Sequence, residues 1–252
     1  MNFFEKINTR WDREALASWP SLLKTAYILF PLLIYYLVGD LTEIILWAVI
    51  NTVFRNASEQ TMLTLTKMSG TLQGMIYAIG LIAGLALLRK CAFGEISYLP
   101  ENEERPKMKL LWIVLLVIIS LAVSIGLNYL FSVLGITGSS AGFNDVHEAQ
   151  FSVNIVAGII IYGILSPLTE EIIFRGIIYN RLKRIFPLAV SFIVNCILFG
   201  IFHGNVVQGL YAVLMSALIL SAYEKCKSFW APIIVHVVAN LGVYVLQYTI
   251  WK

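Results

Sequence analysis

Three short groups of residues in this chain could carry out hydrolytic chemistry. The first is Glu170-Glu171 followed by Arg175, inside the stretch ILSPLTEEIIFRGIIYNRLKR from Ile164 to Arg184. On a helix, residues four apart share a face, so Glu171 and Arg175 can pair. Glu170 points about 100° away from Glu171, leaving its carboxylate to face a cavity. Alone, the stretch also fits an interfacial Glu–Arg cluster at a helix end. The second group is Phe199-Gly-Ile-Phe-His203 and the third is His236-Val-Val-Ala-Asn240. Each has a plainer reading, as a structural histidine at a helix end and as a hydrogen-bonding pair between helices. Taken together they form a coherent set. A glutamate can act as general base toward water, histidines can bind a metal or polarise a carbonyl, and an asparagine can donate to an oxyanion. Pro167, just ahead of the acidic pair, should loosen or kink the helix that carries it.

The elements that position these residues follow from composition. Of 252 residues, 59% are hydrophobic and only 13% are charged. Mean hydropathy is +0.80. Eighteen Lys plus Arg and fifteen Asp plus Glu cannot coat a soluble domain of this size. Soluble, disordered and disulfide-rich classes are excluded, and an all-α, polytopic transmembrane bundle is expected. The net charge of +3 gives no reason to expect nucleic acid as a partner. The three cysteines show no metal spacing, and Cys196 in its apolar run reads as a small buried hydrophobe. A charge at a helix centre costs roughly 2.5–3.5 kcal/mol on insertion scales, so in-span charges mark the place to look for function.

Apolar runs fall near 70–88, 110–134, 152–169, 187–203, 206–223 and 230–250. The region 21–54 is longer and is interrupted at Gly39-Asp40, with Glu43 just after. It reads as one span joined to a tilted piece, or as two spans. Asp40 and Glu43 receive no functional reading. Lys and Arg alternate between successive loops: abundant in 89–109, absent from 135–151, present in 181–186, absent from 204–205, present in 224–229. This alternation predicts about seven spans, or eight if 21–54 crosses twice, with the N-terminus inside and the C-terminus outside. Residues 1–20 read as a cytoplasmic amphipathic arm and 21–252 as an integral membrane domain, with the catalytic helices in 150–252. The 135–151 segment is expected to be a polar loop covering an outer opening, with His147 exposed and outside the catalytic set. Counted at about 1.5 Å per residue from the inner turns, Glu170 and His203 reach similar depths, whereas His236 is shallower.

The three motifs resemble the CAAX protease and bacteriocin-processing family of intramembrane metalloproteases, also called the Abi family. Its pattern is EExxxR, FxxxH and HxxxN on three membrane helices. This chain has Glu170-Glu171-x-x-x-Arg175, Phe199-x-x-x-His203 and His236-x-x-x-Asn240 in that order, with Phe174-Arg175-Gly176 in the family's usual wording. The resemblance covers about 150–250. It implies peptide-bond hydrolysis at or within a membrane, on a peptide or membrane-protein substrate, in a bacterial cell membrane. It assigns Glu170 as the water-activating base and Asn240 as oxyanion support, with Glu171 and Arg175 positioning the first helix. His203 and His236 become metal ligands or direct polarising groups. Glu170, His203 and His236 would be an acceptable zinc set, and the resemblance leaves zinc-assisted and metal-free hydrolysis both open. Two other readings stand beside it. One is a catalytically dispensable immunity or scaffold protein of the same family. The other is a transporter with a Glu–His proton relay.

Overall fold

A computed structural model describes residues 13–61, 108–137, 140–152 and 154–251. Among them the chain is helical and contains no strand. The helices are α1 (Arg13–Ala17), α2 (Ser21–Val53), α3 (Leu110–Val133), α4 (Ala141–Ser152), α5 (Ile155–Ile185), α6 (Leu188–Phe202), α7 (Val206–Cys226) and α8 (Trp230–Trp251). Helices α2, α3, α5, α7 and α8 are long and apolar enough to cross a membrane, and α6 is a shorter apolar helix. The chain is thus an all-α integral membrane bundle. The expected run at 70–88, most of the 89–109 loop and residues 1–12 lie outside the described residues.

Burial in α3 shows the logic of such a bundle. Its buried residues are Leu116, Ser120, Ser124 and Phe131, while Leu110, Leu111, Val114, Ile118 and Val133 are exposed. Small and polar residues face inward and large aliphatic ones outward, as expected where lipid removes any penalty on exposed leucine. The buried stripe is tied to α8. Ser120 Oγ donates to the Val235 carbonyl at 2.5 Å.

Four expectations change in detail. Residues 21–53 form one continuous helix through Gly39 and Asp40. A single glycine costs a helix only about 1 kcal/mol, and Asp40 lies on an exposed face. A continuous helix crosses once, which removes the double crossing of 21–54 from the described structure. Second, 141–152 is a twelve-residue helix, not a loop. Phe143, His147 and Phe151 recur every fourth residue and give it an aromatic face. Third, the expected basic turn at 181–186 is mostly helix, and the chain reverses at Phe186-Pro187. Arg181 is fully buried. Its guanidinium lies 4.2 Å from the Tyr27 ring centroid and donates to the Tyr27 carbonyl. Fourth, the described part of the N-terminal arm packs against the bundle through one face. Arg13 donates to the Lys183 carbonyl at 3.0 Å, and Leu16 is buried in a core with Tyr27, Phe174, Ile178 and Phe199.

Candidate active site

Helix α5 carries the acidic pair, and its backbone departs from regular α geometry on both sides of it. Residues Ile159–Leu165 and Ile172–Tyr179 are π-helical, with Ser166–Glu171 as α-helix between them. The expected loosening at Pro167 is therefore a wide turn just ahead of it. The Ser166 N–H bonds to the Ile161 carbonyl, five residues back. Helix α8 packs closely here, because a side chain at Gly158 would overlap the Tyr244 ring and one at Gly163 would overlap Leu241.

The two glutamates separate as their spacing predicts. Glu171 is fully buried. Its Oε1 accepts from Arg175 Nη1 at 2.9 Å and faces His236 Nδ1 at 2.7 Å. Arg175, also fully buried, donates to Ser216 Oγ at 2.7 Å and lies 4.3 Å from the Phe199 ring centroid. The chain thus satisfies much of the guanidinium inside the bundle, as a charge in a low-dielectric setting requires. Glu170 instead lines a cavity of about 490 Å³. Its Oε1 accepts from Ser166 Oγ at 2.5 Å.

His236 sits between the two carboxylates. Its Nδ1 is on Glu171, and its Nε2 is 3.8 Å from Glu170 Oε2. A carboxylate only accepts, so Nδ1 carries the proton of that contact. Nε2 and Oε2 attract only through a shared proton or a bridging donor. His203 follows the same rule. Its Nδ1 is 2.8 Å from the Phe199 carbonyl, which fixes the proton on Nδ1 and leaves Nε2 as the acceptor. The contact between His236 and Glu171 puts the two at one level, which the count from the inner turns did not. The inner ends of α5 and α7 are pinned together by Lys183 and Glu224 at 2.9 Å.

Glu170, His203, His236 and Asn240 all line the one cavity, while Glu171 and Arg175 lie behind it. Asn240 does not pair with His236. Its Nδ2 donates to the Tyr162 carbonyl at 3.1 Å. Among the described residues no three His, Cys, Asp or Glu side chains form a metal-binding group, and Ser166 already engages one oxygen of Glu170. The three candidate ligands therefore share a cavity without making the three-ligand set that a catalytic zinc uses.

His147 departs from expectation. It is half-buried and lines the same cavity, with its ring 4.4 Å from Phe151 and 5.9 Å from Phe143. Phe151 in turn stacks on Tyr244 of α8 at 4.9 Å and 11°. Burial among these rings holds the His147 pKa below the ordinary histidine value. Ser166 and Ser216 also escaped the sequence reading. Ser166 stands four residues before Glu170, a spacing that would have flagged it. Ser216 lies on α7, outside any motif, and no local signal marks it.

Residues 152–242 match the family described as Rce1-like, type II CAAX prenyl endopeptidase. The chain is 32% identical over 89 residues to "Putative membrane peptidase YdiL" of Bacillus subtilis (strain 168), a stretch covering 35% of this chain and 36% of that relative. The match thus spans about a third of each protein. No solved structure matches the chain. The matched segment begins at the last residue of α4, runs through α5, α6 and α7 and ends within α8, and it contains all three motifs.

Proposed function

We propose that this protein is an intramembrane endopeptidase in which Glu170 activates water for attack on a peptide carbonyl. The observation that carries this reading is the Glu170 carboxylate. It opens onto a largely aromatic and apolar cavity, with one oxygen held by Ser166 and the other facing His236 Nε2. Held in this way, Oε2 is the oxygen left to take a proton from water. The water oxygen then bonds to the carbonyl carbon, and the proton passes from Glu170 to the departing amine nitrogen as the C–N bond breaks. The second O–H of that water donates to the Nε2 lone pair of His203, whose Nδ1 is turned to the Phe199 carbonyl, while His236 flanks Glu170 Oε2. One N–H of the Asn240 amide is committed to the Tyr162 carbonyl. The buried Glu171–Arg175 pair fixes His236 from behind.

The substrate is a membrane-associated or apolar peptide, in keeping with the aromatic lining. The N-terminus lies inside and the C-terminus outside, from the loop charges. The test is cleavage of internally quenched apolar peptides by the detergent-purified protein. Glu170→Gln should lower kcat by about 10²–10⁴-fold with an unchanged size-exclusion profile. Full activity in that variant overturns the assignment.

A further inference from the structure

We propose that Asn240 is a positioning residue, holding in place the helix turn that presents Glu170, and that its contribution depends on Pro167. The proposal rests on the peptidase reading above for one of its two readouts only. The π-helical stretch of α5 ends with the Ser166 N–H bonded to the Ile161 carbonyl, a step of five residues. The next donor in that register is residue 167, and the next acceptor is the Tyr162 carbonyl. Residue 167 is proline, which has no N–H to give. Inside a bilayer a carbonyl released in this way finds no water and needs a partner from a neighbouring helix. The Asn240 amide is that partner, at 3.1 Å. The glycines at 158 and 163 let α8 approach closely enough for it to reach.

A similar amide–carbonyl contact, there without a proline, occurs away from the cavity. In the second π-helical stretch, Asn195 of α6 donates to the Phe174 carbonyl at 3.0 Å. Asn195 is fully buried and is not part of the cavity lining. An asparagine amide closing off a carbonyl of a wide turn is thus a structural device of this fold. At Asn240 the carbonyl it holds lies one turn before Ser166 and two before Glu170, and Ser166 is the residue that orients the Glu170 carboxylate. Losing the clasp shifts that carboxylate, and displacements of about 1 Å can cost catalysis on the order of 10²-fold.

The experiment is a double-mutant cycle of Asn240→Ala with Pro167→Ala, read in two ways: kcat and KM on the quenched peptide, and the thermal unfolding midpoint in detergent. An alanine at 167 restores an N–H able to take the Tyr162 carbonyl. Asn240→Ala in the natural background should lower kcat by about tenfold or more, leave KM within about twofold, and lower the midpoint by about 2–4 °C. With Pro167→Ala present, both losses should largely disappear. If Asn240→Ala alone yields no folded protein, its recovery by Pro167→Ala is the same rescue. Equal losses with proline or alanine at 167 overturn the proposal and assign the amide to the substrate. If the natural protein cleaves nothing, or Glu170→Gln cleaves as well as it does, the peptidase reading fails. The unfolding cycle then still decides the role of Asn240.

Discussion

The two π-helical stretches of α5 use one backbone device for different ends. The stretch at 159–165 borders the cavity, and its widened turn precedes a carboxylate that lines it. The stretch at 172–179 is enclosed, with every residue from Ile173 to Tyr179 buried, and it carries the buried Arg175. Each has a carbonyl closed by an asparagine from a neighbouring helix. The acidic pair sits on the short α-helical segment between them, and the two neighbours inherit opposite surroundings. Glu171 is locked to Arg175 and His236, while Glu170 keeps one oxygen for chemistry. Substitutions around the enclosed stretch should therefore be felt in stability, and those around the cavity stretch in kcat.

The largest effect should come from Glu171→Ala, which leaves Arg175 charged, buried and without its carboxylate. It should cost about 3–5 kcal/mol, seen as loss of monodisperse protein on size exclusion. Glu170→Gln should leave that profile unchanged. If the two behave alike, the division between the stretches is wrong. Next, Ser216→Ala removes an acceptor from the Arg175 guanidinium and should destabilise by about 1–3 kcal/mol, with KM and kcat of the surviving folded fraction near normal. Ser166→Ala, four residues before Glu170, should do the reverse. Its stability cost should be about 1 kcal/mol, while kcat falls by more than KM changes.

The smallest effect concerns α4, which roofs the cavity stretch. The folded His147 pKa lies below its ordinary value of 6.5, so the neutral ring is the form that packs. Its contribution is intact above about pH 6.5. As pH falls below that value the undocked segment takes up the proton first, and docking weakens with acidification. Hydrogen exchange of 141–152 should quicken below about pH 6.5, and His147→Phe should flatten that dependence.

Much of the candidate site was legible because a membrane chain allows few polar residues in its spans. Glu170, Glu171, Arg175, His203 and His236 stood out against apolar surroundings, and the four-residue spacing of Glu171 and Arg175 was enough to forecast their pairing. Where polar residues have ordinary company, the reading failed. The α4 helix begins right after Gly138-Ser139-Ser140 and mixes Gly142, Asn144, Asp145 and Glu148 with its aromatic stripe, so composition spoke for a loop. His147 was assigned to solvent with it. Arg181 counts as a loop charge in a tally of basic residues, yet it stacks on Tyr27 from a helix distant in sequence. The partner of Asn240 is a main-chain carbonyl, and no side-chain pattern encodes that.

Helix α6 has fifteen residues and rises about 22 Å, against roughly 30 Å of hydrocarbon in a typical bilayer. Its end is the polar sequence His203-Gly204-Asn205, which turns directly into α7. A helix this short falls about 8 Å below that thickness, a mismatch that bilayers meet by thinning, by snorkelling of flanking residues or by oligomerisation. On the peptidase reading proposed above, acyl-chain length then sets how far bulk water travels to Glu170, and longer chains should lengthen that route.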